Sequence, residues 1–145
     1  MFVNRRKVRI EWGDCDPAGI VFYPRYFAMF DHSTAMLLEA ATGYTKYQMR
    51  EVYDFVGFPM VDTSAKFLIP SKFGDDIVIE TTIEELGKSS FNILHKVWKG
   101  DALAIEARET RVWAGKHPDD PKRIKSKPIP DEVVARLRGK KTVEV

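Results

Sequence analysis

Between Val61 and Ile69 the chain alternates. Val61, Thr63, Ala65, Phe67 and Ile69 fall on one side, Asp62, Ser64 and Lys66 on the other, and Pro70 ends the run. A period of two marks a strand with one face packed. Asp76–Leu86 repeats the pattern through Ile77, Ile79, Thr81 and Ile83. Ser90–Trp98 does so through Phe91, Ile93, His95 and Val97, and Ala102–Ala114 reads as the last long strand. Gly87-Lys88-Ser89 and Lys99-Gly100-Asp101 are short enough for hairpin turns, so these segments predict an antiparallel meander. Near the amino end, Val8–Trp12 reads as a short strand closed by Gly13.

From Pro24 to about Thr42 the period changes to that of a helix. Arg25, His32 and Glu39 recur at intervals of seven and form one narrow polar stripe, while Phe27, Phe30, Leu37, Leu38 and their neighbours are apolar or small. A helix apolar nearly all round is buried on most sides. Gly43 supplies a carboxy-terminal stop. A mixed segment follows over Tyr44–Asp54, and a proline-rich basic tail from His117 to Pro130 leads to a short final helix over Asp131–Arg138. One early helix followed by a run of strands predicts the α+β class. A single curved sheet covers such a helix on one side only, so a second copy of the chain is expected to cover the rest.

The totals add limits rather than detail. A chain of 145 residues, 44% hydrophobic and 30% charged, is expected to form one domain over 1–145 with a sizeable core. The net charge of +2 carries no field directed at nucleic acid. One cysteine excludes an internal disulfide and fits a reducing compartment. Met1–Lys7 lacks an apolar core of the secretory type, and no apolar run reaches the ~20 residues of a membrane span, so a soluble cytoplasmic protein is expected.

Candidate chemistry concentrates in Gly13-Asp14-Cys15-Asp16-Pro17-Ala18-Gly19-Ile20-Val21-Phe22-Tyr23-Pro24. Cys15 is a poor nucleophile, because Asp14 and Asp16 oppose a thiolate. His32, His95 and His117 lack metal-ligand spacing, so no metal site is expected; His95 shares a strand face with Ile93 and Val97 and reads as a packed histidine. Asp16 opens an Asp-Pro-Ala-Gly turn, a common local role. It also precedes a helix whose first position is Pro24 and whose cap is Tyr23, a residue unable to satisfy free N–H groups. A carboxylate beside an uncapped, positively polarised helix start suits acyl transfer, the helix supplying oxyanion donors. Asp31 is the second anomaly, an acid beside Phe27 and Leu38 on the apolar face. It reads either as one half of a salt bridge at a subunit interface or as a ligand contact lining a cavity.

That run, followed by Tyr26 and Phe27, resembles the signature of hotdog-fold acyl-CoA thioesterases, above all the 4-hydroxybenzoyl-CoA thioesterase branch. The likeness is dense over residues 8–42 and extends loosely to about residue 115. It implies a hotdog fold, in which a long central helix is wrapped by a curved antiparallel sheet. It also implies homodimers or homotetramers with sites at the subunit interface. By position, Asp16 matches the catalytic carboxylate and the Tyr23 N–H the oxyanion donor. Asp31 matches a residue lining the benzoyl pocket, and Phe58 stands where relatives carry a small hydroxyl residue against the substrate. Lys88, Ser89 and Ser90 match a more basic turn that holds CoA phosphates. Pro24 stands where related enzymes carry a histidine, which fits the aspartate-only branch.

An aspartate with a reference pKa near ~3.9 is ionised at neutral pH and needs no activating base. It can attack the thioester or deprotonate water, and the sequence leaves both routes open. Asp14 and Asp16 diverge if extended, which assigns one catalytic acid and leaves Asp14 structural. The expected reaction is hydrolysis of an acyl-CoA, aromatic in the first instance (4-hydroxybenzoyl or benzoyl), with no cofactor beyond the CoA of the substrate. The rivals are a short-chain acyl-CoA thioesterase, a non-catalytic acyl-CoA-binding module, and a hydratase. A hydratase would need a histidine near Asp16. The basic run Lys122–Lys127 is the only feature that favours nucleic acid.

Overall fold

The alternating segments pair as the meander predicts. In the computed structural model, which describes residues 1–145, β3 (Asp76–Leu86) pairs with β4 (Ser90–Lys99) and β4 with β5 (Ala102–Val112), all antiparallel. β2 (Met60–Phe67) adds to β5, and β1 (Val3–Arg9) adds to β3. The short β8 (Thr142–Glu144) runs parallel to β1, giving the order β2-β5-β4-β3-β1-β8. Registers Ile79↔Val97 and Val97↔Ile105 line apolar residues across three strands on one face.

The helix α1 (Tyr23–Thr42) lies on that face. Tyr26 and Phe30 pack with Ile77, Ile79, Val97 and Ile105; further along, Leu37, Leu38 and Ala41 pack with Ile83, Phe91, Ile93 and Trp113. Each large side chain withdrawn from water contributes roughly 1.5–3 kcal/mol. The helix α3 (Asp131–Arg138) buries Val133 and Leu137 in the second cluster, closing the far end. Gly43 ends α1 at φ +81°, a conformation open to glycine, and its N–H donates to Glu39 O. No helix is long and apolar enough to cross a membrane.

Several boundaries differ from expectation, each for a physical reason. The first strand is Val3–Arg9 rather than Val8–Trp12, and Trp12–Asp14 forms a turn of 3₁₀-helix. The strand was hidden because its inner face carries Asn4 and Arg6 beside Phe2, Val8 and Ile10. The Arg6 guanidinium donates to Met29 O at 3.3 Å and to Ser33 Oγ at 3.1 Å, and burial lowers its pKa. A second helix, α2 (Lys46–Val52), occupies the mixed segment. Thr45 and Gln48 cap it reciprocally, a box legible in the sequence although the segment has no apolar period. α1 starts at Tyr23 with Phe22 as its cap and Pro24 second, one residue earlier than expected. Its buried side also carries Ser33, Thr34 and Thr42, so it is less apolar than its wheel suggests. Ala114–Lys116 and Ile124–Ser126 form a small hairpin, β6 and β7.

Candidate active site

The acidic turn is built from local bonds. Cys15 and Val21 bridge as antiparallel partners, Asp16 N donates to Ile20 O at 3.0 Å, and Gly19 N donates to Asp16 O at 2.9 Å. Gly19 takes φ +84°, the left-handed step that turns the chain back. The Asp16 carboxylate accepts the Ala18 N–H at 2.8 Å through Oδ1, which fixes its rotamer and leaves Oδ2 without a partner. Asp14 behaves differently: its carboxylate accepts Glu11 N–H at 2.9 Å and its carbonyl accepts Phe22 N–H at 2.8 Å, both structural tasks. The turn and the end of β1 are tied to the loop between β2 and β3, where Val21 N donates to Ser71 O and Ile10 N to Asp75 O. Cys15 is half-buried, with Sγ directed to Glu11 O at 3.7 Å.

The turn delivers the chain into α1. Phe22 offers no side-chain cap, Pro24 has no N–H, and Arg25 N–H folds back onto Phe22 O. The Tyr23 N–H finds no acceptor in the chain, so a donor at the positive end of a twenty-residue helix is left open. Within one protomer Asp16 and Tyr23 open into different depressions. One, of about 340 Å³, is lined by Asp16, Cys15, Trp12 and Phe73. The other, of about 220 Å³, is lined by Tyr23, Tyr26, Ile20, Phe67 and Ser71. Around the second, Phe22, Tyr23 and Phe67 remain exposed, next to the unpaired edge strand β2.

Asp31 lies eight residues further along α1, about 12 Å at the helical rise of 1.5 Å per residue. Its side chain is 57% exposed, and its Oδ1 accepts Arg111 Nη2–H at 2.8 Å. The salt bridge is therefore made within the protomer and not, as expected, at a subunit interface, because the register of β5 brings Arg111 beneath α1. Arg111 is buried, and so are the groups behind it. Arg111 Nε donates to Glu109 Oε1 at 3.1 Å and Nη2 to Glu109 Oε2 at 3.2 Å, a forked pair, while Nη1 donates to Phe58 O at 3.3 Å. Glu109 Oε1 also accepts Thr34 Oγ1–H at 2.7 Å and lies 3.3 Å from His95 Nε2. His95 Nδ1 meets Thr81 Oγ1 at 2.9 Å, and its ring stacks on Phe30 at 4.9 Å. The packed histidine expected from the strand pattern is therefore present, with polar partners at both nitrogens.

Burial alone would raise the Glu109 pKa; the His95, Arg111 and Thr34 hydrogen bonds outweigh it and hold the carboxyl at about 2. Burial lowers the Arg111 pKa, but Glu109 and then Asp31 overcome it and leave the guanidinium raised. The network is therefore a charged, hydrogen-bonded chain linking the core to a half-exposed carboxylate. Glu109, Arg111 and Thr34 were not singled out in the sequence. The available signal was parity: Glu109 and Arg111 alternate with Ala107 and Trp113 on one side of the last strand, so opposite charges two apart face the core.

The remaining residues lie elsewhere. Phe58 is buried in the core among Phe55, Phe91 and Leu37, and meets the Asp31 network only through its carbonyl and the face of its ring, over which Arg111 Cζ lies 5.9 Å from the centroid. Lys88, Ser89 and Ser90 form the β3–β4 turn, where Lys88 O accepts Ile129 N–H and Ser89 O accepts Trp113 N–H; the Lys88 side chain is exposed. The protomer thus joins Asp16 to Tyr23 through one turn of chain but opens them into separate depressions, links Asp31 with Phe58 through Arg111, and keeps the Lys88 turn apart. No three His, Cys, Asp or Glu side chains converge as metal ligands.

A long helix wrapped by a mostly antiparallel curved sheet, with an acidic turn feeding an uncapped helix start, defines the hotdog class. Comparison with known proteins narrows this. A family model described as thioesterase superfamily matches residues 18–106. The 4-hydroxybenzoyl-CoA thioesterase of Pseudomonas sp. (strain CBS-3) is 33% identical over 132 residues, spanning 87% of this chain and 91% of that protein. Its structure superposes with TM-score 0.84 at 32% identity, over 92% of this chain and 98% of that one. A gentisyl-coenzyme A thioesterase structure superposes with TM-score 0.76 at 31% identity, over 93% and 99% of the two chains. The 1,4-dihydroxy-2-naphthoyl-CoA hydrolase of Nostoc punctiforme is 28% identical over 138 residues, or 94% of this chain and 86% of that protein. The chain belongs to the thioesterase superfamily and is a thioester hydrolase.

Proposed function

We propose that this protein hydrolyses an aromatic acyl-CoA, with a hydroxylated benzoyl group as the first candidate, to the free acid and CoA. Asp16 is the catalytic carboxylate in this reading. The observation that carries it is the Asp16 side chain itself: pinned through Oδ1, open at Oδ2, and separated by one short turn from the free Tyr23 N–H. Asp16 either attacks the thioester carbon, expelling CoA thiolate and leaving an acyl–aspartate anhydride that water opens, or removes a proton from the water that attacks. In both routes the carbonyl oxygen becomes an oxyanion, which the Tyr23 N–H and the helix dipole stabilise; one such donor is worth about 10²–10³ in rate. The thiolate, with a reference pKa of about 8.5, departs without strong acid assistance.

Asp31 lines the acyl pocket, its oxygen accepting a hydrogen bond from a hydroxyl on the ring. A hydroxyaryl group is supported by three of the similar proteins, which carry names of hydroxyaryl-CoA hydrolases. The Lys88-Ser89-Ser90 turn meets the CoA phosphates, and buried Phe58 acts on the acyl side from behind, through its carbonyl on Arg111. A second copy covers the exposed Phe22, Tyr23 and Phe67 and completes the site by bringing residues of two protomers together, as a homodimer or homotetramer. The test is thiol release from 4-hydroxybenzoyl-, benzoyl-, acetyl- and hexanoyl-CoA. Cleavage of an aryl ester above the alkyl ones is the predicted result; binding without cleavage of any ester would point to a non-catalytic module instead.

A further inference from the structure

We infer that Arg111 is a positioning residue for acyl recognition: held from behind by Glu109 and His95, it fixes the Asp31 carboxylate so that one oxygen is presented to the acyl group. This rests on the reading of Asp31 as an acyl-pocket residue given above. Four hydrogen bonds define the arrangement. Arg111 spends Nε and one Nη2 hydrogen on the two oxygens of Glu109, one Nη1 hydrogen on Phe58 O, and the second Nη2 hydrogen on Asp31 Oδ1. Glu109 already neutralises the buried guanidinium, so the contact with Asp31 is not required to balance its charge. What the contact does is orient. Asp31 is half-exposed and would otherwise sample several rotamers. With Oδ1 occupied, Oδ2 is left as the acceptor. Its geometry is set by a planar fork whose own position is fixed by β5 and by Thr34 of α1 through Glu109.

This arrangement has a chemical consequence. An ionised carboxylate accepts hydrogen bonds and donates none. The acyl group it selects therefore carries a hydrogen-bond donor at the end remote from the thioester, and an acyl group ending in a carboxylate is repelled. A hydrogen bond to a charged group discriminates by roughly tenfold to a hundredfold. Loss of the fork leaves Asp31 charged but mobile, so selectivity falls while the chemistry at Asp16 persists.

The experiment measures kcat and KM for 4-hydroxybenzoyl-CoA and benzoyl-CoA in wild type, Arg111→Lys, Asp31→Asn and the double variant. Because a lone change at Arg111 strands Glu109 in the core, a paired Glu109→Gln/Arg111→Gln variant, which removes both charges together, is measured beside it. The expected result is a ratio of kcat/KM values that favours the hydroxylated ester in wild type and falls about tenfold in Arg111→Lys, chiefly through KM. In the Asp31→Asn background the same change does not alter the ratio further. A folded Arg111→Lys or paired variant that keeps the wild-type ratio overturns the inference, as does additive behaviour in the double variant. A wild type that cleaves aryl esters without preferring the hydroxylated one overturns it while leaving the thioesterase reading intact. A wild type that cleaves neither overturns both.

Discussion

Asp16 and Asp31 are both acids beside the same helix, yet they are held in opposite ways. Asp16 depends on its neighbours in sequence: the Ala18 N–H, a turn closed by Gly19, and a bridge from Cys15 to Val21. Asp31 depends on Arg111, 80 residues away, and through it on Glu109, His95 and Thr81 from three strands. The first arrangement is cheap to form and exposed to water, which suits a carboxylate that must meet a substrate. The second requires the whole sheet, and it yields rigidity. The difference teaches where each kind of damage should appear: local changes at the turn should reach activity before stability, and changes in the network should reach stability first.

The largest stability effect is expected at Glu109. Glu109→Ala leaves the Arg111 cation buried without its fork and removes a partner of His95 and Thr34; a loss of about 3–5 kcal/mol is predicted, read as a lower urea midpoint. A loss below about 1 kcal/mol would mean that the network does not hold the core. The pH dependence is next in size. The folded Glu109 carboxyl sits at about 2, below its ordinary 4.5. Its contribution is therefore fully present above about pH 4.5 and is lost as pH falls toward 2. Wild type should lose stability over that interval more steeply than Glu109→Gln, and equal slopes would contradict the depressed pKa.

Smaller effects belong to the turn. Gly19→Ala forces a side chain into φ +84°, although no atom lies within 4 Å of the new methyl. A cost of about 1–2 kcal/mol follows from backbone strain alone. Hydrolysis should fall by more than this loss of stability would cause, since the turn aims Asp16. Thermal unfolding and kcat measured on the same preparation separate the two. Asp14→Ala, which removes only the bond to Glu11 N–H, should cost about 1 kcal/mol and leave kcat within a few-fold of wild type. A collapse of kcat there would make Asp14 a second catalytic acid.

The same contrast explains what the sequence revealed. The turn was legible because its internal bonds span eight residues or fewer and its residue types announce them. Strands β2 to β5 were legible as runs between turn signals, three of them keeping a two-residue period. Asp31 was legible as a misfit on an apolar face, but not its partner, because pairing across 80 residues requires the register of β5 against β4. Glu109 and Arg111 looked like ordinary surface charges until Ala107 and Trp113 fixed which side of β5 faces inward. The strand Val3–Arg9 was obscured by Asn4 and Arg6 on its inner face, since a buried polar residue breaks the apolar period without breaking the strand. The helix Lys46–Val52 carried a capping box and no periodic face, so only its start was written locally.

The central claim is that the two acids divide the work, Asp16 performing the chemistry and Asp31 recognising the acyl group. The most direct test is steady-state hydrolysis of 4-hydroxybenzoyl-CoA by wild type and Asp16→Asn, with fold and oligomeric state verified for both. A fall in kcat of about 10²–10⁴ in the variant, the range for loss of a positioned acid–base group, is the predicted result. An Asp16→Asn enzyme that turns over at the wild-type rate would contradict the account and move the search for the catalyst away from the acidic turn.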